Sequence, residues 1–228
     1  MFDFEKEAAG IGGWLTKNEG DFLYETARKV VAGGTIVEIG SWKGKSTVCL
    51  SRGSQGGQKA RIYAIDPHVG SSEHQRMFGQ VDTFQEFKNN IAEGGVSGLI
   101  EPIRDSSENA AKNFTKAVDF VFIDGAHEYE FVSLDFRLWF PKLIDGGLVA
   151  FHDTWHFIGP NLATAGALLF SFQIRNPRLI DTITVFQKTK RNSFFDRCCN
   201  IGFLLYRTLF GWIGTWRLSR QSQKTGLL

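Results

Sequence analysis

The chain has 228 residues, 43% hydrophobic and 22% charged, enough apolar side chain for a packed core and too much for a disordered polymer. The formal net charge of +2 is unevenly placed. Residues 190–228 carry seven basic residues and one acid, net +6, which leaves about −4 on the rest; that argues against a nucleic-acid-binding body and suits the tail to an anionic surface. The opening MFDFEKEAAG is acidic and has no apolar h-region, so no signal peptide is expected. Cys49, Cys198 and Cys199 fit no zinc or redox spacing, which favours a reducing, cytoplasmic setting.

In chain order, residues 16–32 read as a helix. Thr16 and Glu19 form a capping box, Phe22, Leu23, Thr26, Ala27 and Val30 recur at helical spacing, and Gly33-Gly34 ends it. Short apolar runs follow, most with an acidic residue at the right-hand end: TIVEIG (35–40), RIYAID (61–66), LIEPIRD (99–105), VDFVFIDG (118–125) and GGLVAFHD (146–153). LIDTITVFQK (179–188) reads as a final strand. Helical patterns lie between them, near 44–53, 80–93, 107–113, 130–140 and 160–170, with Cys49 facing the core and Phe131, Leu134 and Leu138 at core spacing. Strands alternating with helices predict an α/β fold with a mostly parallel sheet, and ligands then bind beyond the carboxyl ends of the strands. The long polar loop 68–80 is a rim for such a site, with His68 beside it.

VEIGSWKGKST (37–47) resembles two nucleotide loops. As a Walker loop it is one residue short between Gly40 and the Gly44-Lys45 pair. As a dinucleotide loop it carries Trp42 where a pyrophosphate needs a glycine, which speaks against NAD. A cofactor without phosphate fits better. Gly40 permits the turn, Gly44 lets a helix begin close to the strand, and Asp66 ends strand two where a carboxylate takes a ribose diol.

Together with IYAIDP, IRDSSENAAKNF, the long VDFVFIDGAHEYE…VAFHDT segment and DTITVFQK, this loop resembles class I S-adenosylmethionine-dependent methyltransferases, in their small FIDGAH…HD branch, over residues 14–188. The resemblance implies a Rossmann-like, seven-stranded sheet with helices on both faces in residues 1–189, followed by a basic, apolar helical extension in 190–228. It implies S-adenosylmethionine as cofactor. Glu38 and Gly40 would frame its methionine end, with Ser41, Trp42, Lys45 and Ser46 of the same loop; Asp66 would hold the ribose; Asp105 and Ser106 would approach the adenine; Asp124 would lie below the methyl group.

The catalytic edge is expected in DGAHEYE (124–130) and HDTWH (152–156). Asp124 and Asp153 end neighbouring strands and can share magnesium or another divalent cation, with His152 as third ligand or facing the core. His127 is the candidate base for the acceptor proton, or a structural loop histidine hydrogen-bonded to one of the aspartates. The function implied is methyl transfer to a hydroxyl oxygen of a small molecule, sugar or glycan. A dehydrogenase on the same fold and a non-catalytic binding protein are the rivals. No nucleic-acid partner is expected. Within residues 194–216 the mostly apolar run from Ile201 to Trp216, broken by Arg207, is too short to span a bilayer, and Asn200, Arg207, Thr208, Gly211 and Thr215 share a stripe. Peripheral contact with a membrane, packing on the chain's own domain, and a homodimer contact stay open for this segment.

Overall fold

A computed structural model describes residues 2–71, 75–76 and 79–225, with the side chains of 210–225 outside the described residues. Seven strands form one sheet in the order β3-β2-β1-β4-β5-β7-β6. These are β1 (Thr35–Ile39), β2 (Arg61–Ile65), β3 (Ile100–Ile103), β4 (Val118–Ile123), β5 (Leu143–Phe151), β6 (Ile174–Ile180) and β7 (Ile183–Lys188). The first five are parallel; β7 runs antiparallel to both β5 and β6. The chain leaves β1 toward β2 and β3 on one side and takes up β4 and β5 on the other, so the switch in direction falls between β1 and β4, where open α/β sheets bind ligands.

Register places the last residues of the parallel strands in line. Ile39 pairs with Ile65 and Ile123, Ile65 with Ile103, and Ile123 with Phe151. Gly40, Asp66, Asp124 and His152-Asp153 each follow one of these residues directly, so the acidic strand ends share one edge. Alternation along the strands divides the core in two. Ile36, Phe120 and Phe122 face α1 (Phe4–Glu7), α2 (Lys17–Arg28), α3 (Lys45–Gly56) and α4 (Phe84–Glu93). Val37, Val121, Ile123 and Phe151 face α5 (Ser107–Asn113), α6 (Tyr129–Trp139) and α7 (Ile158–Phe170). Helices therefore cover both faces, as expected from sequence, and Cys49 is buried in the first core.

The capping box of α2 is present, with Thr16 accepting from Glu19 N and Glu19 accepting from Thr16 N. Other expectations change. The single strand expected over 179–188 is a hairpin: β6 ends at Ile180, Asp181 turns with φ +47°, and β7 begins at Ile183. In α6 the buried line is Val132, Asp135 and Trp139, while Phe131 is exposed. The apolar spacing was read one residue out of phase because an acidic residue occupies the inward face.

The C-terminal helix α8 (Phe194–Thr225) packs its first turns on β6 and α7. From the polar stripe expected in sequence, Asn200 and Arg207 point into the domain. Asn200 Nδ2 donates to Ile174 O at 2.8 Å, and Arg207 donates to Thr164 Oγ1 at 2.6 Å and Asn161 O at 3.0 Å. Packing on its own domain thus holds for this part of the segment; the Gly211 and Thr215 side chains lie outside the described residues. Among the described residues no helix is long and apolar enough to cross a membrane.

The pairing of α2 with α3 depends on close backbone approach. A Cβ on Gly53 would stand 2.1 Å from Tyr24 O, a backbone atom that cannot yield locally. Gly53→Ala should therefore push the two helices apart and destabilise the protein by about 2–3 kcal/mol, seen as a lower urea midpoint with an unchanged slope.

Candidate active site

The glycine loop after β1 is set by a close contact. Gly40 has φ +86°, and a Cβ there would meet Asp124 O at 2.1 Å, so only glycine lets the loops after β1 and β4 touch. Trp42 then turns left-handed at φ +48°, and its N–H donates to Asp66 Oδ2 at 2.7 Å. α3 begins after Gly44. Its first-turn residues serve the protein: Lys45 Nζ donates to Gly13 O at 2.7 Å, and Thr47 Oγ1 donates to Glu38 Oε2 at 2.5 Å. Ser46 also bonds Glu38. The GKST stretch is thereby committed to Gly13 and Glu38.

Two cavities meet at this edge and share Gly40, Trp42, Asp124 and Gly125. The larger, about 260 Å³, is bounded by Asp66, Ser106, Ala126, Phe131, Leu134 and Asp135. The smaller, about 70 Å³, holds Ser41, Lys45, Ser46, His127, His152 and Asp153, together with the N-terminal Gly12-Gly13-Trp14-Leu15. That N-terminal wall was not read from sequence; its one signal was the glycine pair ahead of a tryptophan.

Three residues stand elsewhere than expected. Glu38 lines neither cavity; it is fully buried under the loop, and burial pushes its carboxyl up to about 8 despite bonds from Ser46 and Thr47. Asp105 faces solvent, accepting from Ser106 N and Asn109 Nδ2, while Ser106 caps α5 by accepting from Asn109 N. His68 is buried between Phe84 and Phe87, its Nδ1 3.0 Å from Thr83 Oγ1, and its N–H donates to Asp66 Oδ1. It positions Asp66 rather than forming the rim. Of the loop 68–80, Gly70 and Ser71 line the larger cavity, and residues 72–74, 77 and 78, His74 among them, lie outside the described residues.

The edge between β4 and β5 is strongly ionic. His152 Nδ1 lies 3.0 Å from Asp124 Oδ1 and 3.3 Å from Asp153 Oδ2, and Nε2 lies 3.3 Å from Glu19 Oε2. Burial disfavours a charged His152, yet Asp124, Asp153 and Glu19 outweigh it and raise the ring well above the ordinary histidine range. Burial likewise raises Glu19, but His152 and Thr182 overcome it and hold the carboxyl near 2. Asp153 is held low in the same way by His152 and His156, whereas burial leaves Asp124 raised. His127 Nε2 lies 3.5 Å from Asp153 Oδ2, and its ring stacks on Phe157 at 3.8 Å.

Asp124, His152 and Asp153 can each offer one ligand atom, all within 4.8 Å of one another. The set fits a divalent cation on one observation. His152 Nδ1 is buried without a hydrogen bond of good geometry, while Glu19 faces Nε2. Exchange of the Nδ1 proton for a cation would aim the Nδ1 lone pair between two carboxylates, with Glu19 orienting the ring from behind through Nε2.

A family model for a methyltransferase domain matches residues 37–154. The chain belongs to the methyltransferase-domain family. An uncharacterized protein of Sinorhizobium fredii is 29% identical over 156 residues, 60% of this chain, and the chain spans only 16% of that relative's length. Among solved structures, the O-methyltransferase NovP superposes with a TM-score of 0.63 at 14% identity, covering 76% of this chain and 80% of its own. The O-methyltransferase TomG from Streptomyces achromogenes, solved with S-adenosylmethionine, superposes at 0.59 and 18% identity, covering 77% and 82%. At such identities the likeness shows the fold, and it is the class I methyltransferase fold expected from the motifs.

Asp135 was not singled out in sequence. It lines the larger cavity, bonds Ser107, and burial pushes its carboxyl up to about 6; Trp139 Nε1 donates to the same Ser107 Oγ at 2.8 Å. A carboxyl whose folded pKa exceeds its unfolded value favours folding when protonated, so its penalty grows as pH rises from about 4 to about 6 and persists above. Asp135→Asn should leave stability near pH 4 unchanged and raise it at pH 7.5 by about 1–3 kcal/mol, measured by urea unfolding at both values.

Proposed function

We propose that this methyltransferase domain moves a methyl group from S-adenosylmethionine to a hydroxyl oxygen of a small molecule, sugar or glycan. The observation that carries the reading is the pair of joined cavities. The larger has the carboxylate of Asp66 at the end of β2 and an apolar wall of Phe131 and Leu134, which suits a ribose and a base. The smaller gathers Asp124, His127, His152 and Asp153 directly beyond the shared Asp124. A cofactor lying across both would bring its sulfonium carbon to the acidic junction, and carboxylates there favour a cationic donor over a phosphate-bearing one. NovP and TomG, both O-methyltransferases, share this fold and support the oxygen preference.

Transfer is an in-line displacement: the acceptor oxygen forms a bond to the methyl carbon as the carbon–sulfur bond breaks, and the sulfonium leaves as a neutral thioether. The protein must hold the acceptor in line and take its proton. We assign that step to His127. Phe157 stacks on its ring at 3.8 Å, and Asp153 Oδ2 lies 3.5 Å from Nε2, so ring plane and direction are both set. A divalent cation, if held by Asp124, His152 and Asp153, would supply Lewis acidity that lowers the pKa of the acceptor hydroxyl. The segment from Gly12 to Leu15, tied down by Lys45, forms one wall of the smaller cavity.

Titration calorimetry with S-adenosylhomocysteine should show binding to the wild-type chain, and none with NAD; NAD binding in place of S-adenosylhomocysteine overturns the reading. Asp66→Ala should weaken S-adenosylhomocysteine by about 10–100-fold, the loss of charge-assisted hydrogen bonds. In methyl-transfer assays on a panel of hydroxylated acceptors, His127→Gln should lower turnover by about 10²–10⁴-fold with S-adenosylhomocysteine affinity unchanged. An unaltered rate in that variant would return His127 to a structural role.

A further inference from the structure

The polarity of α8 is inside out. Over its first four turns the buried positions are polar, Asn200 and Arg207, and their partners are backbone and hydroxyl oxygens of α7, β6 and β7. The outward positions are apolar: Phe194 is 85% exposed, Phe195 74%, Leu205 58% and Leu209 68%. Two more aromatic residues extend this surface at the start of the helix. Asn192 N donates to Phe172 O at 2.7 Å, and Arg197 donates to Leu169 O and Ser171 O and lies over the Phe172 ring, which brings the exposed Phe170 and Phe172 to the start of the helix. A helix on a water-soluble domain buries its apolar stripe; this one tucks Phe203 against the core and displays Phe194, Phe195, Leu205 and Leu209, and exposed apolar surface of this kind marks a docking face.

Charge selects the occupant. The segment 190–228 is net +6 beside a body of about −4, and Lys190 and Arg191 are exposed where the helix begins. A second copy meeting the same face about a two-fold axis would set these cations against their own kind. An anionic bilayer satisfies both halves of the surface, taking the apolar side chains at the headgroup boundary and the cations against its phosphates and carboxylates. Spanning is not an option for this helix among the described residues, with Arg207 in its middle, so it would lie in the plane of the interface. In the sequence Trp212 and Trp216 continue the spacing of Leu205 and Leu209; their side chains lie outside the described residues.

We propose that α8 seats the domain on an anionic lipid surface through Phe194, Phe195, Leu205 and Leu209, flanked by basic residues. This does not depend on the reaction proposed above. Flotation of the full chain with vesicles of phosphatidylcholine, with and without phosphatidylserine, tests it. The protein should float with the phosphatidylserine vesicles and be released as salt rises, because screening shortens the reach of the charges. A Phe194→Ser/Phe195→Ser/Leu209→Ser variant should lose about tenfold or more of its vesicle partition. Its melting temperature should hold, since these side chains are exposed. Lys190→Glu/Arg191→Glu should remove part of the dependence on phosphatidylserine. Failure of the wild-type chain to float, or flotation of the triple variant equal to wild type, overturns the proposal. So does a wild-type dimer in sedimentation velocity that the triple variant abolishes without any vesicle binding, which would assign the face to a second copy.

Discussion

The buried pairing of Glu19 with His152 is the contact on which the acidic edge of the sheet depends. Glu19 belongs to the first turn of α2, yet its carboxylate reaches across the end of the sheet. It accepts from Thr182 N at 2.9 Å, from Thr182 Oγ1 at 2.6 Å and from Thr16 N at 2.9 Å, and faces His152 Nε2 at 3.3 Å. A carboxylate this deeply buried is tolerable only with such a set of donors. In being satisfied it fastens the entry of α2, the end of β5 and the turn between β6 and β7 to one point. It also fixes the direction of the imidazole, so that Nδ1 faces Asp124 and Asp153. The shape of the smaller cavity follows from that orientation.

The loops around the larger cavity are held in unfavourable backbone geometry by hydrogen bonds that converge on Asp66. Trp42, His68 and Asp153 are non-glycine residues with φ between +48° and +60°, a region that L residues rarely occupy. Two of the three, Trp42 and His68, donate their N–H groups to Asp66, one to each oxygen. The residue read as the ribose acceptor is thus also the brace of the loops after β1 and β2. Its carboxylate arrives at the cleft already oriented, and the preorganisation is supplied by the loops that form the walls.

Much of this was legible in the sequence because strands and caps are local. The acidic strand ends, the α2 capping box and the burial of Cys49 follow from period and neighbour chemistry within a few residues. What was not legible came from long-range use of residues that already had a local explanation. Glu19 reads as the partner of Thr16, and nothing within three residues points to His152 or Thr182, more than 130 positions away. Asp135 sits on an apolar face, so its presence shifted the expected core line of α6 by one residue and hid Phe131 as a wall of the cleft. Glu38 looked like a ligand because it precedes the glycine, but a strand residue at full register points into the core; only the residue beyond the strand reaches the edge. The turn at Asp181 was masked by the β-branched residues on both sides of it.

The tail shows the same limit from the opposite direction. Its sequence places Asn200 and Arg207 on one stripe without saying which way that stripe faces, and helices ordinarily bury their apolar side. Arg207 breaks that rule at a cost. Its guanidinium is buried against neutral oxygens only, and the loss of hydration lowers its pKa to about 10, still charged near neutrality. Directional bonds to Thr164, Thr184 and Asn161 therefore join the apolar contact of Phe203 in docking the helix, and they fix its rotation. Holding a helix by its polar residues leaves its apolar residues unspent. A sequence that merely needed to cover β6 would have no reason to bury an arginine there, and the arrangement makes sense when the outward face has its own use.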